Sequence, residues 1–276
     1  MTRMKKIIFV VVNFNNYLYT SKLCKSLSLQ KGSNHNFDMQ CIVVNNSIDS
    51  DDTMLLEGIK KHYSWLTIIQ ANDNIGYFGG LNYGLKNIND RQKDSIVVIG
   101  NNDLEFEENF CLNLISSYDV WPKNIHAVSP SVITPEGINQ NPYIKNRISA
   151  FKRFQFDVYF AHYYLAVILN FLRPLLLPKK IMGDNDSVPQ EIHMGIGACY
   201  ILTPSFFMHS SKLNCSVFLC GEEAFFSDQI RSNSGILYFD PSLKVLHAGS
   251  AALSLLSKRQ IYEYARTGYP LYRNLM

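Results

Sequence analysis

Apolar residues fall along the first third of the chain in short solid runs, and each run is closed by a knot of polar side chains. Lys6–Val12 ends in Asn13, Phe14, Asn15 and Asn16. Cys41–Val44 ends in Asn45, Asn46, Ser47, Ile48 and Asp49, and Leu66–Ile69 is followed by Asn72, Asp73 and Asn74. Ile96–Ile99 stops at Gly100 and passes directly into Asn101, Asn102 and Asp103. A run apolar at every position, rather than at alternate ones, reads as a strand buried on both faces, as in parallel sheets. Between the first three runs, Tyr17–Leu29 and Met54–Tyr63 space their apolar residues as helices do. The order β-α-β-α-β predicts an α/β fold with a mostly parallel, Rossmann-like sheet flanked by helices. In such sheets ligands gather at the carboxyl ends of the strands, where the polar knots lie.

The pattern then loosens. Glu105–Tyr118 reads as a helix, Ala127–Ile133 as a strand and Thr134–Gly137 as a turn. Segment 143–180 is distinct: Tyr143–Phe154 mixes basic and aromatic residues, and Tyr159–Leu177 is largely apolar but broken by His162, Asn170, Arg173 and Pro174. Those interruptions argue against a membrane span. Two readings of the segment stand: a helix lying in a bilayer interface, and helices packed inside the protein or against a second copy of the chain in a homodimer. Gly183–Ser187 is a polar loop. Gly195 and Gly197 lead into a strand ending at Leu202, with His193 just before them. Gly221, Glu222 and Glu223 precede a helix over Ala224–Ile230. Gly235–Pro241 and Leu243–Ser250 read as two strands, the second carrying His247, and Lys258–Met276 as a basic, aromatic helix.

Composition narrows the class. The chain of 276 residues is 47% apolar and 18% charged, which is globular rather than disordered. A net charge of +3 excludes a general nucleic-acid binder. The six Cys show no metal or redox spacing, so free thiols in a reducing compartment are expected. The basic start lacks a small-residue cleavage site after its apolar run, so no secretory leader is expected.

The candidate chemistry lies in two acidic spots. Asp103 stands at a strand end, where a carboxylate can hold a divalent cation. Glu222 and Glu223 follow an apolar run; acids there complement a helix N-terminus and also suit proton transfer. Ahead of both, Asn74-x-Gly76-x-x-Gly79-Gly80-x-Asn82-x-Gly84 fits neither a dinucleotide fingerprint nor a P-loop.

That glycine string, followed by a strand and Asn101-Asn102-Asp103, resembles family 2 of the inverting glycosyltransferases, nearest the bacterial rhamnosyltransferase-like branch. The likeness spans about residues 6–250. It implies one GT-A domain, with a nucleotide-sugar-binding half (1–103), an acceptor-binding half (104–276) and a helical, aromatic insertion at about 143–190. It implies donor contacts from Asn13, Asn15, Asn45, Asn74, Gly76, Gly79, Gly80, Asn82, Asn101 and Asn102. It further implies a Mn2+ or Mg2+ ion on Asp103 with His247 as a second ligand. Glu223 is then the base, with Glu222 as its support or rival. The implied partners are a nucleoside-diphosphate sugar and a saccharide or lipid-linked saccharide acceptor, at the cytoplasmic face of a bacterial membrane where surface polysaccharide is assembled. Three departures are visible: Asn45 stands where the family carries a base-reading Asp, Asn101-Asn102 replace a first metal-motif Asp, and Phe225 replaces an Asp after the acidic pair. They keep a non-catalytic nucleotide-sugar or glycan-binding module in view. A nucleotidyltransferase is a further alternative, but it calls for a basic glycine-rich loop near the first strand, and Phe14–Tyr17 has none.

Overall fold

The computed structural model describes residues 5–30, 37–88, 95–176, 188–249 and 256–276, without the side chains of residues 5 and 173–176. The loop Gly183–Ser187 and the end of the predicted insertion lie outside the described residues.

The first strands form as their patterns predict. β1 (Lys5–Asn13), β2 (Phe37–Asn45), β3 (Leu66–Gln70) and β4 (Ser95–Asn101) are parallel neighbours, interleaved with α1 (Tyr17–Ser28), α2 (Ser50–Lys60) and α3 (Tyr77–Lys86). Ile7–Val10 and Val97–Ile99 are almost wholly buried, because helices cover both faces of the sheet. α3 lies close on β1: a Cβ at Gly84 would meet the Val10 side chain at 2.4 Å, so Gly is required for this approach.

Beyond β4 the sheet becomes mixed. β5 (Leu104–Phe106), α4 (Phe110–Val120), β6 (Ile125–Ile133), α5 (Ala150–Ala161), α6 (Tyr163–Leu176), β7 (Gln190–Glu191), β8 (Cys199–Leu202), α7 (Pro204–His209), α8 (Glu222–Ser232), β9 (Ile236–His247) and α9 (Lys258–Tyr272) complete the fold. The sheet order is β3-β2-β1-β4-β8-β6-β9-β5, with β7 also on β9. β8 runs antiparallel between β4 and β6, and one sheet thereby joins the two halves of the chain.

Two sequence expectations are corrected. The helix predicted over Glu105–Tyr118 begins only at Phe110. Leu104 and Phe106 instead point into the core from β5, with Glu105 facing out, and three alternating residues are too short a signal to read from sequence. The two strands predicted over 235–250 are one strand, β9. Its pairing with β6 slips between Asp240 and Lys244, a bulge that accommodates Pro241, which has no N–H to donate. The 143–180 segment contains two helices, and no helix among the described residues is long and apolar enough to cross a membrane.

The polar knots of β1 and β2 form one buried network. The parallel register sets Asn13 beside Asn45. Asn13 Nδ2 donates to Asn45 Oδ1 (2.9 Å) and to Asp52 Oδ2 (2.6 Å), while Asp52 Oδ1 accepts the Tyr17 N–H (2.8 Å) at the start of α1. Asp52, 5% exposed, therefore caps a helix that its own preceding residue leaves uncapped, and ties α1 and α2 to two strand ends. Asp52→Ala strands these buried donors and is expected to cost about 3 kcal/mol. In thermal unfolding that appears as a fall of roughly 6–10 °C, whereas a loss within 2 °C would show the network to be incidental.

Candidate active site

The carboxyl ends of β1 and β4 and the start of α8 enclose a cavity of about 320 Å³. It lies within the size range of small-ligand sites. Asp103, His247, Glu222 and Glu223 all line it, so the two acidic spots, more than a hundred residues apart in sequence, meet in one hollow.

Asp103 and His247 are brought together by the β5–β9 pairing, which sets Leu104 opposite His247. His247 Nε2 stands 3.3 Å from Asp103 Oδ1, and each side chain is nearly buried. On the other side of the ring, Nδ1 lies 2.8 Å from Gln140 Oε1. An amide oxygen accepts only, so Nδ1–H donates to it, and a ring carrying its proton there would have Nε2 free to ligate a metal. Neighbouring corners of an octahedral ion with bonds of about 2.1 Å lie about 3.0 Å apart, so this 3.3 Å pair would have to close slightly to share one. A carboxylate suits Mn2+ or Mg2+, and the imidazole tips the pair toward a transition metal such as Mn2+. Among the described residues no cluster of three or more His, Cys, Asp or Glu groups exists, so further positions on such an ion would fall to substrate and water. Asn101 Nδ2 lies 3.4 Å from the same Nε2.

The acidic pair is set by a backbone turn. Cys220 (φ +66°) and Gly221 (φ +113°) both take left-handed conformations and turn the chain into α8, whose first residues are Glu222 and Glu223. A Cβ at Gly221 would strike the Tyr272 ring at 2.3 Å, so α9 packs directly behind this turn. Burial raises the affinity of both carboxyls for protons. The Glu223 charge adds to the effect at Glu222, and backbone N–H groups of the turn partly oppose it. Glu222 Oε1 is buried without a hydrogen-bond partner, which a charged carboxylate tolerates badly and a neutral one better. The two titrate as a unit held above the usual carboxylate range.

Glu223 is aimed by Gly197. The Gly197 N–H donates to Glu223 Oε1 (3.2 Å), and the Gly197 carbonyl accepts from Tyr77 Oη (2.7 Å) at the start of α3. A Cβ on Gly197 would lie 2.7 Å from Glu223 Oε1. That atom ends a flexible side chain, so Gly197→Ala is expected to leave the melting temperature unchanged while displacing the carboxylate. A misplacement near 1 Å lowers turnover by roughly 100-fold. Unchanged turnover with unchanged stability would separate Gly197 from the chemistry.

The residues predicted as donor contacts divide into two groups. Asn74, Gly76, Asn101 and Asn102 line the cavity. Gly76 (φ +75°) sits where a Cβ would meet the Phe218 carbonyl at 2.8 Å, which closes the wall between α3 and the turn. Asn102 contributes its position but not its amide, because Nδ2 donates to Asn13 Oδ1, Asn16 O and Thr20 Oγ1. Asn13, Asn15, Asn45, Gly79, Gly80 and Asn82 do not line it. Asn45 lies in the network below the surface, accepting from Asn13 and donating to Thr53 Oγ1 and Gln70 Oε1. Gly80 packs on Val12 and Asn46, and Gly79 on Ile75. Asn82 clamps Leu213 by two hydrogen bonds to its backbone, and Asn15 is exposed on a left-handed turn.

Sequence reasoning missed Asn46, Gln140 and Tyr77. Asn46 is 2% exposed and donates to the Gly76 carbonyl (2.9 Å), and its Oδ1 is buried without a partner at the cavity wall. The pair Asn45-Asn46 was visible; which of the two faces the ligand depends on the strand end. Gln140 has no motif around it, and it reaches His247 only because the chain after β6 folds back, with the Gln140 N–H on Val132 O.

No family model and no curated protein matches the sequence. Among solved structures, GalNAc-T7 with UDP, GalNAc and Mn2+ aligns over 89% of this chain with a TM-score of 0.58 and 13% identity. The mannosyltransferase PcManGT from Pyrobaculum calidifontis, in complex with GDP-Man and Mn2+, aligns over 99% with a TM-score of 0.57 and 13% identity. The chain spans 44% and 64% of the length of those two structures. The sheet order, the crossing helices and these likenesses agree on the architecture: the chain has the GT-A fold of glycosyltransferases.

Proposed function

We propose that this chain is an inverting, metal-dependent glycosyltransferase, moving a hexosyl or rhamnosyl unit from a nucleoside-diphosphate sugar to a glycan or lipid-linked saccharide. The observation that carries the reading is one cavity lined by Asp103 with His247 on one wall and Glu222 with Glu223 on another. Three carboxyls line it, and no described lining residue is Lys or Arg. With Glu222 and Glu223 held above the usual carboxylate range by burial, the Asp103 carboxylate faces a diphosphate with no cationic side chain beside it, so a cation would have to mediate the contact. Asp103 and His247 are the residues that would hold it, and bound there it would supply charge to stabilise the departing nucleoside diphosphate. The solved neighbours crystallised with UDP or GDP-Man and Mn2+ support this reading.

The protein's own groups supply the rest. Asn46 Oδ1 is an acceptor for an N–H or O–H of the donor. Glu223, oriented by the Gly197 N–H, takes the proton from an acceptor hydroxyl as it attacks the anomeric carbon opposite the leaving group. Burial holds the Glu223 carboxyl above the usual carboxylate range, closer to what a general base needs at neutral pH. The 1–103 half carries the donor walls and the 104–276 half the base, within one domain. The glycine string and the Asn101–Asp103 motif support the family 2, rhamnosyl-transferring branch and a role in surface polysaccharide assembly at the cytoplasmic side.

Calorimetry with UDP-, dTDP- and GDP-sugars, with and without Mn2+ or Mg2+, tests the proposal alongside assays of transfer and donor hydrolysis. Metal-dependent binding with turnover supports it. Metal-independent binding with no turnover would instead identify a binding module. A nucleotidyltransferase would release diphosphate from a nucleoside triphosphate; the cavity's lack of basic side chains among the described residues argues against it.

A further inference from the structure

α5 and α6 form a hairpin whose inner face is well used and whose outer face is not. Inside, Phe160 stacks on Tyr269 of α9 with ring centroids 4.6 Å apart, and Tyr262 donates to the Tyr159 carbonyl. Asp157 accepts from Tyr269 and Arg273, which hold its carboxyl well below the usual range. Outside, Tyr164, Val167, Ile168 and Phe171 recur at the i, i+3, i+4, i+7 spacing of one helix face. All four are exposed, Ile168 by 54% and Phe171 by 75%. Phe151 and Phe154, one turn apart on α5, are exposed too, Phe151 by 71%. An apolar helix stripe turned to solvent on two adjoining helices is a surface that calls for an occupant.

Charge selects the occupant. Residues 143–172 and 256–276 together hold eight of the 26 Lys and Arg but only two of the 23 Asp and Glu, which leaves the rest of the chain net negative. Both acids, Asp157 and Glu263, are engaged by Arg273 and Arg266. Lys152 lies over the Phe156 ring, and Arg259 of α9 over the Tyr163 ring beside the stripe, each 5.4 Å from the centroid. Cations on long stems beside exposed aromatic and aliphatic side chains are the pattern of a helix seated at the headgroup level of an anionic bilayer.

We infer that the outer face of the α5–α6 hairpin, with the basic residues of α5 and α9, docks on an anionic lipid surface. α9 also reaches the active site: Tyr264 lines the cavity, and Gly268 lies where a Cβ would touch Val217 at 2.8 Å. One helix thus connects the docking face to the cavity mouth. That link, which rests on the transferase reading, fits an acceptor whose saccharide is tethered to lipid. The docking itself does not depend on that reading.

The test uses the full chain and vesicles of phosphatidylcholine alone or with about 30% phosphatidylglycerol. Co-sedimentation is expected to be at least tenfold stronger on the anionic vesicles and to weaken as salt is raised to about 0.5 M. The double variant Ile168→Ser/Phe171→Ser is expected to lower partitioning at least tenfold, and Lys152→Glu/Arg259→Glu to remove the anionic preference. Melting temperature and turnover on a water-soluble acceptor should stay unchanged in both. Equal binding to the two vesicle types, or none, overturns the inference. So does a dimer in light scattering that Phe171→Ser dissociates while vesicle binding is absent, because the stripe is then a contact between copies. A variant that loses several degrees of stability with vesicle binding intact shows the stripe to be covered by the chain itself, and overturns it as well. Because vesicle binding needs no donor, its failure leaves the proposed chemistry standing, and the converse holds.

Discussion

Glu223→Gln is expected to lower sugar transfer by roughly 1,000-fold while donor affinity is preserved, since a positioned general base contributes about 100- to 10,000-fold. The amide keeps the volume of the carboxyl and its Oε1 can still accept the Gly197 N–H, so the fold has no reason to respond. Glu222→Gln should behave differently. It leaves the base in place, and because Glu222 is the member of the pair raised by its neighbour's charge, Glu223, raised by its own burial, should titrate as in the wild type. In the wild type, transfer should rise with pH through the elevated range of the pair, because burial keeps the base protonated below it. In Glu222→Gln the rise should stay in the same range, with a modest change in the plateau. Stability carries the opposite slope. Groups with raised folded-state values bind more protons folded than unfolded, so stability is full below the ordinary carboxylate range and declines as pH climbs through the elevated range. Glu222→Gln should flatten that decline and melt several degrees higher than wild type at about pH 8.5. A dead Glu222→Gln with an active Glu223→Gln would exchange the two roles.

These readings show where sequence is informative and where it stops. β1, β2 and β4 are legible because burial on both faces demands uninterrupted apolar runs, a pattern few other environments tolerate. Asp103, Glu222 and Glu223 are legible by their chemistry and His247 by the family resemblance, and one cavity holds all four. The neighbours of those groups are harder to read. Asn45 and Asn46 are identical in type and adjacent, yet one lies in the Asp52 network and the other at the cavity wall. Their roles follow from strand register and from α2 folding back over β2, both tertiary facts. Asn13 and Asn82 look like ligand contacts for the same reason that they serve as structural clamps: an amide both donates and accepts. Gln140 orients His247 with no local pattern to mark it, whereas the glycines at 195 and 197 are visible in the sequence but the contact of Gly197 with Glu223 is not.

Asp103→Asn is the second large effect, and it can be read without turnover. In the wild type, Mn2+ with a nucleoside diphosphate should raise the melting temperature by several degrees, because a ligand at about 100 times its Kd adds about 2.7 kcal/mol. The nucleotide alone should add little, since the cavity presents the Asp103 carboxylate to it and no described Lys or Arg. Asp103→Asn removes the anionic member of the Asp103–His247 pair, so the metal-dependent increment should vanish and transfer should fall by roughly 1,000-fold. His247→Ala removes a ligand without the formal charge of a carboxylate and should weaken metal affinity by less, and Gln140→Ala, which frees the imidazole from its 2.8 Å partner, by about 10-fold. That order, Asp103 before His247 before Gln140, follows from charge, then ligation, then orientation. If EDTA leaves both the nucleotide-induced shift and transfer intact in wild type and Asp103→Asn alike, the cation has no place in this cavity. The Asp103 carboxylate would then need another explanation for tolerating a diphosphate.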